Sequence, residues 1–123
     1  MKLITSELKQ RFKEIGDQSE EKNPILVAKF FDPVGSATWY ATEFDSETNV
    51  CFGYVTGLAF DEWGSFSIKE LESIKRPFGL TIERDIHFNE VSFDELMQPK
   101  TNKRSTEIKG LKKSNKSKED IER

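Results

Sequence analysis

Two stretches of alternating side-chain character, 37–45 and 50–58, are separated only by a loop from Asp45 to Asn49. A connection of that length joins antiparallel neighbours, because parallel strands need a crossover of about a dozen residues or more. In the first stretch Thr38, Tyr40, Thr42 and Phe44 share one face while Trp39, Ala41 and Glu43 share the other. Both faces carry an aromatic residue, so neither is plainly a solvent face. In the second, Val50, Phe52, Tyr54, Thr56 and Leu58 oppose Cys51, Gly53, Val55 and Gly57. The two glycines imply a curl in the sheet or room for a neighbouring aromatic such as Trp39.

The flanks extend this hairpin in both directions. Upstream, Ile25 to Phe31 reads ILVAKFF, an apolar run of strand formers that ends at the turn Asp32-Pro33-Val34-Gly35-Ser36. Downstream, a turn through Asp61 and Glu62 leads to a fourth short strand, Trp63 to Phe66. Ahead of the meander, Leu8, Phe12 and Ile15 form a helical stripe after Thr5 and Ser6, with Gly16 to end it and a polar loop from Asp17 to Asn23. Beyond it, Ser67 and Glu70 have capping-box spacing before a helix that buries Ile68, Leu71 and Ile74 and stops at Arg76-Pro77. A last strand is expected over Thr81 to Phe88, and Ser92 with Glu95 caps a final turn ending near Pro99. The fold class is α+β: a curled antiparallel sheet, a four-stranded meander plus a fifth strand, with an N-terminal helix and one helix inserted before the last strand.

Of the 123 residues, 1–99 read as a single α+β domain and 100–123 as a basic, disordered tail. That tail carries nine Lys or Arg against four Asp or Glu, a net +5, which leaves −8 on residues 1–99 out of a total of −3. Its only sizeable apolar residues are Ile108, Leu111 and Ile121, too few to offset an ordering cost of roughly 1–2 kcal/mol per residue. Cys51 is the only cysteine, which excludes an intrachain disulfide and a cysteine-rich zinc site and points to a reducing compartment. The N-terminus, MKLITSELKQRFKE, turns charged after four residues, unlike a signal peptide, and no stretch approaches a membrane span. A cytoplasmic protein without a cofactor is expected.

The phrases PILVAKFFDP, TWYATEFD, FGYVTGL, GSFSIKELESI and FGLTIERDIHF, taken as a set, closely resemble the bacterial family known as domain of unknown function 2958. The resemblance runs from about Thr5 to Leu96 in the same order and with similar spacings. It implies a small accessory product of plasmids, phages and integrated mobile elements, and no particular activity. Arg76 departs from the pattern, standing where a small residue is expected before proline, and the basic tail lies outside it.

Two candidate sites stand out. Trp39, Tyr40 and Trp63, edged by Glu43, Asp45, Asp61 and Glu62, can form an aromatic and acidic surface for a basic peptide or cationic group. Glu83, Asp85 and His87 share one face of the expected last strand and are a weak candidate metal set. Same-face strand neighbours are about 6.5–7 Å apart, too far for three of them to converge on one ion without help. Cys51 reads as a small core residue rather than a nucleophile. No nucleophile elbow, phosphate-binding glycine loop or histidine triad is present.

The leading expectation is therefore a binding or regulatory module acting on a protein partner, in its sharper form a basic or nucleic-acid-handling one whose groove the acidic body occupies. Direct nucleic-acid binding through the tail is the alternative, and a metal-dependent hydrolase using Glu83, Asp85 and His87 is the weakest.

Overall fold

A computed structural model describes residues 1–99. Helix α1 spans Ser6–Ile15: the Thr5 hydroxyl accepts the Leu8 N–H at 3.1 Å, and Gly16, at φ 77°, closes the other end by donating to the Phe12 carbonyl. Phe12 is buried, with Leu8 and Ile15 packed beside it, so the expected stripe is the one that faces the core.

The meander consists of β2 (Ala28–Phe31), β3 (Thr38–Asp45), β4 (Val50–Thr56) and β5 (Glu62–Ser67), all antiparallel. Strand β6 (Glu83–Arg84) adds to the free edge of β2, giving the order β5-β4-β3-β2-β6. The tight β3–β4 connection works without glycine because Asn49 adopts φ 62°, a conformation that asparagine tolerates better than most residues.

A bulge at Thr42 reshapes the sheet. Ala41 pairs with Gly53, but Glu43 pairs with Phe52, so one extra residue of β3 is accommodated there. Beyond the bulge the alternation of β3 reverses, which puts Phe44 on the core side against Phe12 (ring centroids 5.8 Å) and Glu43 on the opposite side. Trp39 and Ala41 remain on the core face, paired with Val55 and Gly53. The expected space for an aromatic beside Gly53 is instead filled by backbone: a Cβ there would lie 2.8 Å from the Tyr40 carbonyl carbon and 2.9 Å from the Ala41 Cα.

The bulge also divides the expected strand 25–31. The β2–β3 ladder stops at Ala28–Ala41, and after Val27 donates to the Ala41 carbonyl the upstream residues leave the sheet. They form β1 (Ile25–Leu26), which pairs with β7 (Val91–Ser92).

Two further expectations are corrected. Helix α2 covers only Ile68–Ser73; Ser67 caps it by accepting the Glu70 N–H, without the reciprocal bond, and Ile74 lies outside it in extended geometry, partly exposed. The chain stops being helical three residues before Pro77 because segment 74–81 folds back on itself, with Arg76 N–H bonding the Leu80 carbonyl and Lys75 bridging Thr81. Arg76, the departure from the family pattern, also pairs with Asp32 at 3.0 Å and so ties this loop to the β2–β3 turn.

The last strand is likewise two residues long rather than eight. It ends at Arg84, and the Phe88 N–H then turns back to the Asp85 carbonyl. Helix α3 (Phe93–Met97) follows β7 with the complete Ser92–Glu95 capping box.

Both faces of the sheet pack against other parts of the chain. Its core face carries Phe30, Trp39, Ala41 and Cys51 and is packed by α1, α2, Leu3, Ile4 and Ile82. On the other face Tyr40 meets Phe88 at 6.0 Å, while Tyr54 and Trp63 meet Phe93 at 5.0 and 4.9 Å. Aromatic residues on both sides of β3 and β4 are needed because both sides are partly buried.

Candidate binding cleft

The second face is not fully covered. Between its aromatic residues and the loop 17–24 lies a cleft of about 550 Å³, within the size range of ligand sites. Its apolar lining is Phe52, Trp63, Phe93 and the buried Pro24. Phe52 and Trp63 come from paired strands and stack with rings 10° from parallel and centroids 6.0 Å apart. Phe93 closes one side because the capping box fixes the start of α3 and the Asn23 side chain accepts the Asp94 N–H at 2.8 Å. Phe52 is 41% exposed, a large apolar surface left open in the interior of the sheet.

The polar wall is built by Gln18, which is 7% exposed. Its Nε2 donates to the carbonyls of Ile25 (2.9 Å) and Thr42 (3.0 Å), and its Oε1 accepts the Ile25 N–H at 2.7 Å. Where the bulge prevents β1 and β3 from pairing, this side-chain amide serves as the missing rung. Its own N–H donates to Glu43 Oε2 at 2.9 Å, which anchors that carboxylate in the cleft wall. The Thr42 hydroxyl donates to the Phe52 carbonyl at 3.1 Å, joining the polar wall to the aromatic one.

Carboxylates dominate the surroundings. Glu21, Glu43 and Lys22 line the cleft, while Asp17 and Glu20 lie on the same loop and Asp94 and Glu95 on α3. The Ser19 backbone N–H, 2.8 Å from Asp17 Oδ1, holds that carboxyl below its usual range, so it stays ionised. In the lining itself two carboxylates, Glu21 and Glu43, stand against one lysine, Lys22.

The residues singled out from sequence are dispersed over the molecule. Trp63 and Glu43 line the cleft. Tyr40 lies on the same face but away from it, under Phe88 and beside Lys29, whose Nζ is 5.9 Å from the ring centroid. Trp39 points to the opposite face and is 8% exposed, in the core. Asp45 accepts the Glu47 N–H in the hairpin loop, Asp61 accepts the Gly57 N–H at the far end of the sheet, and Glu62 pairs across from Val55. Phe52, Phe93 and Gln18 escape a local reading; only the Ser92–Glu95 cap, which places Phe93 at a helix start, offered a signal.

The weak metal set does not assemble. Because the strand ends at Arg84, Glu83, Asp85 and His87 do not alternate along one face. Asp85 is engaged by Lys29 at 3.4 Å and by the His87 N–H at 3.0 Å. Among the described residues no group of three or more His, Cys, Asp or Glu is placed to hold a metal ion. Cys51 is fully buried, and burial pushes its thiol up to about 12, which leaves it protonated and unreactive.

A family model described as protein of unknown function (DUF2958) matches residues 3–95, which include every part of the cleft. The chain belongs to this family. No curated protein and no solved structure matches it. As a DUF2958 member it has no helix among its described residues long and apolar enough to cross a membrane. The basic tail, with its expected contact to nucleic acid, lies outside the described residues.

Proposed function

We propose that the protein is a non-enzymatic binding module whose cleft takes a basic peptide segment of a protein partner, with an apolar side chain seated on Phe52, Trp63 and Phe93. One observation carries this reading: an open aromatic wall in the interior of a sheet, bordered by Glu21 and Glu43. An aromatic wall supplies contact area at small entropic cost, and surrounding carboxylates favour lysine or arginine and repel a phosphate backbone. A basic, nucleic-acid-handling protein of the host or of a mobile element is the kind of partner such a cleft suits.

The test is titration of the chain with a short synthetic peptide alternating lysine and leucine, followed by tryptophan emission. The lysine peptide changes the emission and its glutamate counterpart does not. Replacing Trp63 with Phe abolishes the response while leaving the emission of buried Trp39. No saturable response to the lysine peptide, or an equal response to both, overturns the proposal.

A further inference from the structure

The chain itself contains a segment of the chemistry the cleft would take. Residues 106–116 read TEIKGLKKSNK, with Ile108 and Leu111 set among Lys109, Lys112 and Lys113. We infer that this segment occupies the cleft in the free protein and that a partner must displace it. The inference rests on the reading of the cleft as a site for basic, apolar peptides.

Charge complementarity is the first support. Residues 100–123 carry +5 and residues 1–99 carry −8, and two of the body's carboxylates, Glu21 and Glu43, line the cleft. The opposite net charges attract, and Glu21 and Glu43 offer partners for lysines at the cleft. The second support is where the described chain ends. Phe93, one wall of the cleft, begins α3 and stands only six residues before Pro99, where the described chain ends. Eight residues lie between Pro99 and Ile108, so no long closure is needed. A tether of that length holds the segment at about millimolar effective concentration. The third support is apolar content. Ile108 and Leu111 are two of the three sizeable apolar residues of the tail, and each is followed directly by a lysine.

The experiment compares the native full-length chain with a full-length variant carrying K109E, K112E and K113E, a change outside the matched family region. Charge reversal shifts Trp63 emission. It also raises affinity for the lysine–leucine peptide about tenfold, the ratio of a millimolar effective concentration to a trans Kd of about 0.1 mM. A synthetic 106–116 peptide added to the variant restores the native emission. Adding Glu21→Lys to the variant re-pairs the reversed charges and returns the native emission without added peptide. Equal emission and equal peptide affinity in the two chains overturn the inference while leaving the proposed function standing. A shift on charge reversal, with no binding of the lysine–leucine peptide to either chain, leaves the inference standing and removes the partner reading. Native emission that depends on protein concentration assigns the tail to the cleft of a second copy and overturns intramolecular docking.

Discussion

Gly53 and Gly64 face each other across β4 and β5, and neither has a positive φ, yet the same substitution should act on them in opposite directions. At Gly53 an added Cβ would overlap the Tyr40 carbonyl oxygen outright and lie within 3 Å of the Tyr40 carbonyl carbon and the Ala41 Cα. These are backbone atoms of the adjoining strand beside the bulge, so no rotamer change relieves the contact. The strands must separate by about 1 Å, weakening two ladder hydrogen bonds worth about 1 kcal/mol each and disturbing packing by a further 1–2 kcal/mol. The predicted cost of Gly53→Ala is about 3–4 kcal/mol, a large part of the roughly 5–15 kcal/mol that stabilises a small protein. At Gly64 nothing lies within 4 Å of the added Cβ, and Gly64→Ala restricts the unfolded chain, a gain of about 0.5–1 kcal/mol. Urea unfolding read by tryptophan emission checks both. With an m-value of about 1.5 kcal/mol/M, the midpoint falls by about 2 M for Gly53→Ala and rises by about 0.5 M for Gly64→Ala. A Gly53→Ala midpoint within about 0.3 M of the native chain, or equal losses in both variants, would refute the bulge geometry.

Gln18→Ala leaves the Ile25 N–H and the Thr42 carbonyl without their side-chain partner and is expected to cost about 2–4 kcal/mol in the same assay. Gln18→Glu keeps the shape but turns an acceptor toward two carbonyls, so it should be no milder; a cost below about 1 kcal/mol for either variant contradicts the surrogate-rung role. Cys51 should react with a thiol reagent at pH 8 only as fast as the chain unfolds, whereas rapid labelling of the folded protein contradicts its burial. The thiol's raised pKa also fixes a sign: the folded state holds the proton more tightly, so this contribution is complete below the ordinary thiol range and is lost as pH rises toward about 12. Urea midpoints measured from neutral pH into that window should decline.

What was legible in the sequence was local. The hairpin of β3 and β4, the cap at Thr5, the stop at Gly16 and the Ser92–Glu95 box each depend on residues within a few positions of one another. The bulge at Thr42 depends on strand packing and has no signature in TWYATEFD. Its consequences were hidden with it: the division of ILVAKFF, the placement of Glu43 and the role of Gln18, whose bond to Thr42 spans 24 residues. Alternation misled at Glu83, Asp85 and His87 because it describes only residues that stay extended, and pairing of Asp85 with Lys29 accompanies a turn instead. Trp39 and Tyr40, adjacent in an extended strand, were bound to face opposite ways, and only the fold decides which face is core.

The two tryptophans make the central claim directly measurable. In a proton–nitrogen correlation spectrum of the charge-reversed full-length chain titrated with the lysine–leucine peptide, the Trp63 indole N–H and the backbone amides of Gln18, Glu43, Phe52 and Phe93 should shift together and saturate. The Trp39 indole, in the core on the other side of the sheet, should stay in place. Shifts spread over both indoles, or centred on Tyr40 and Phe88 instead of the cleft, would contradict the account.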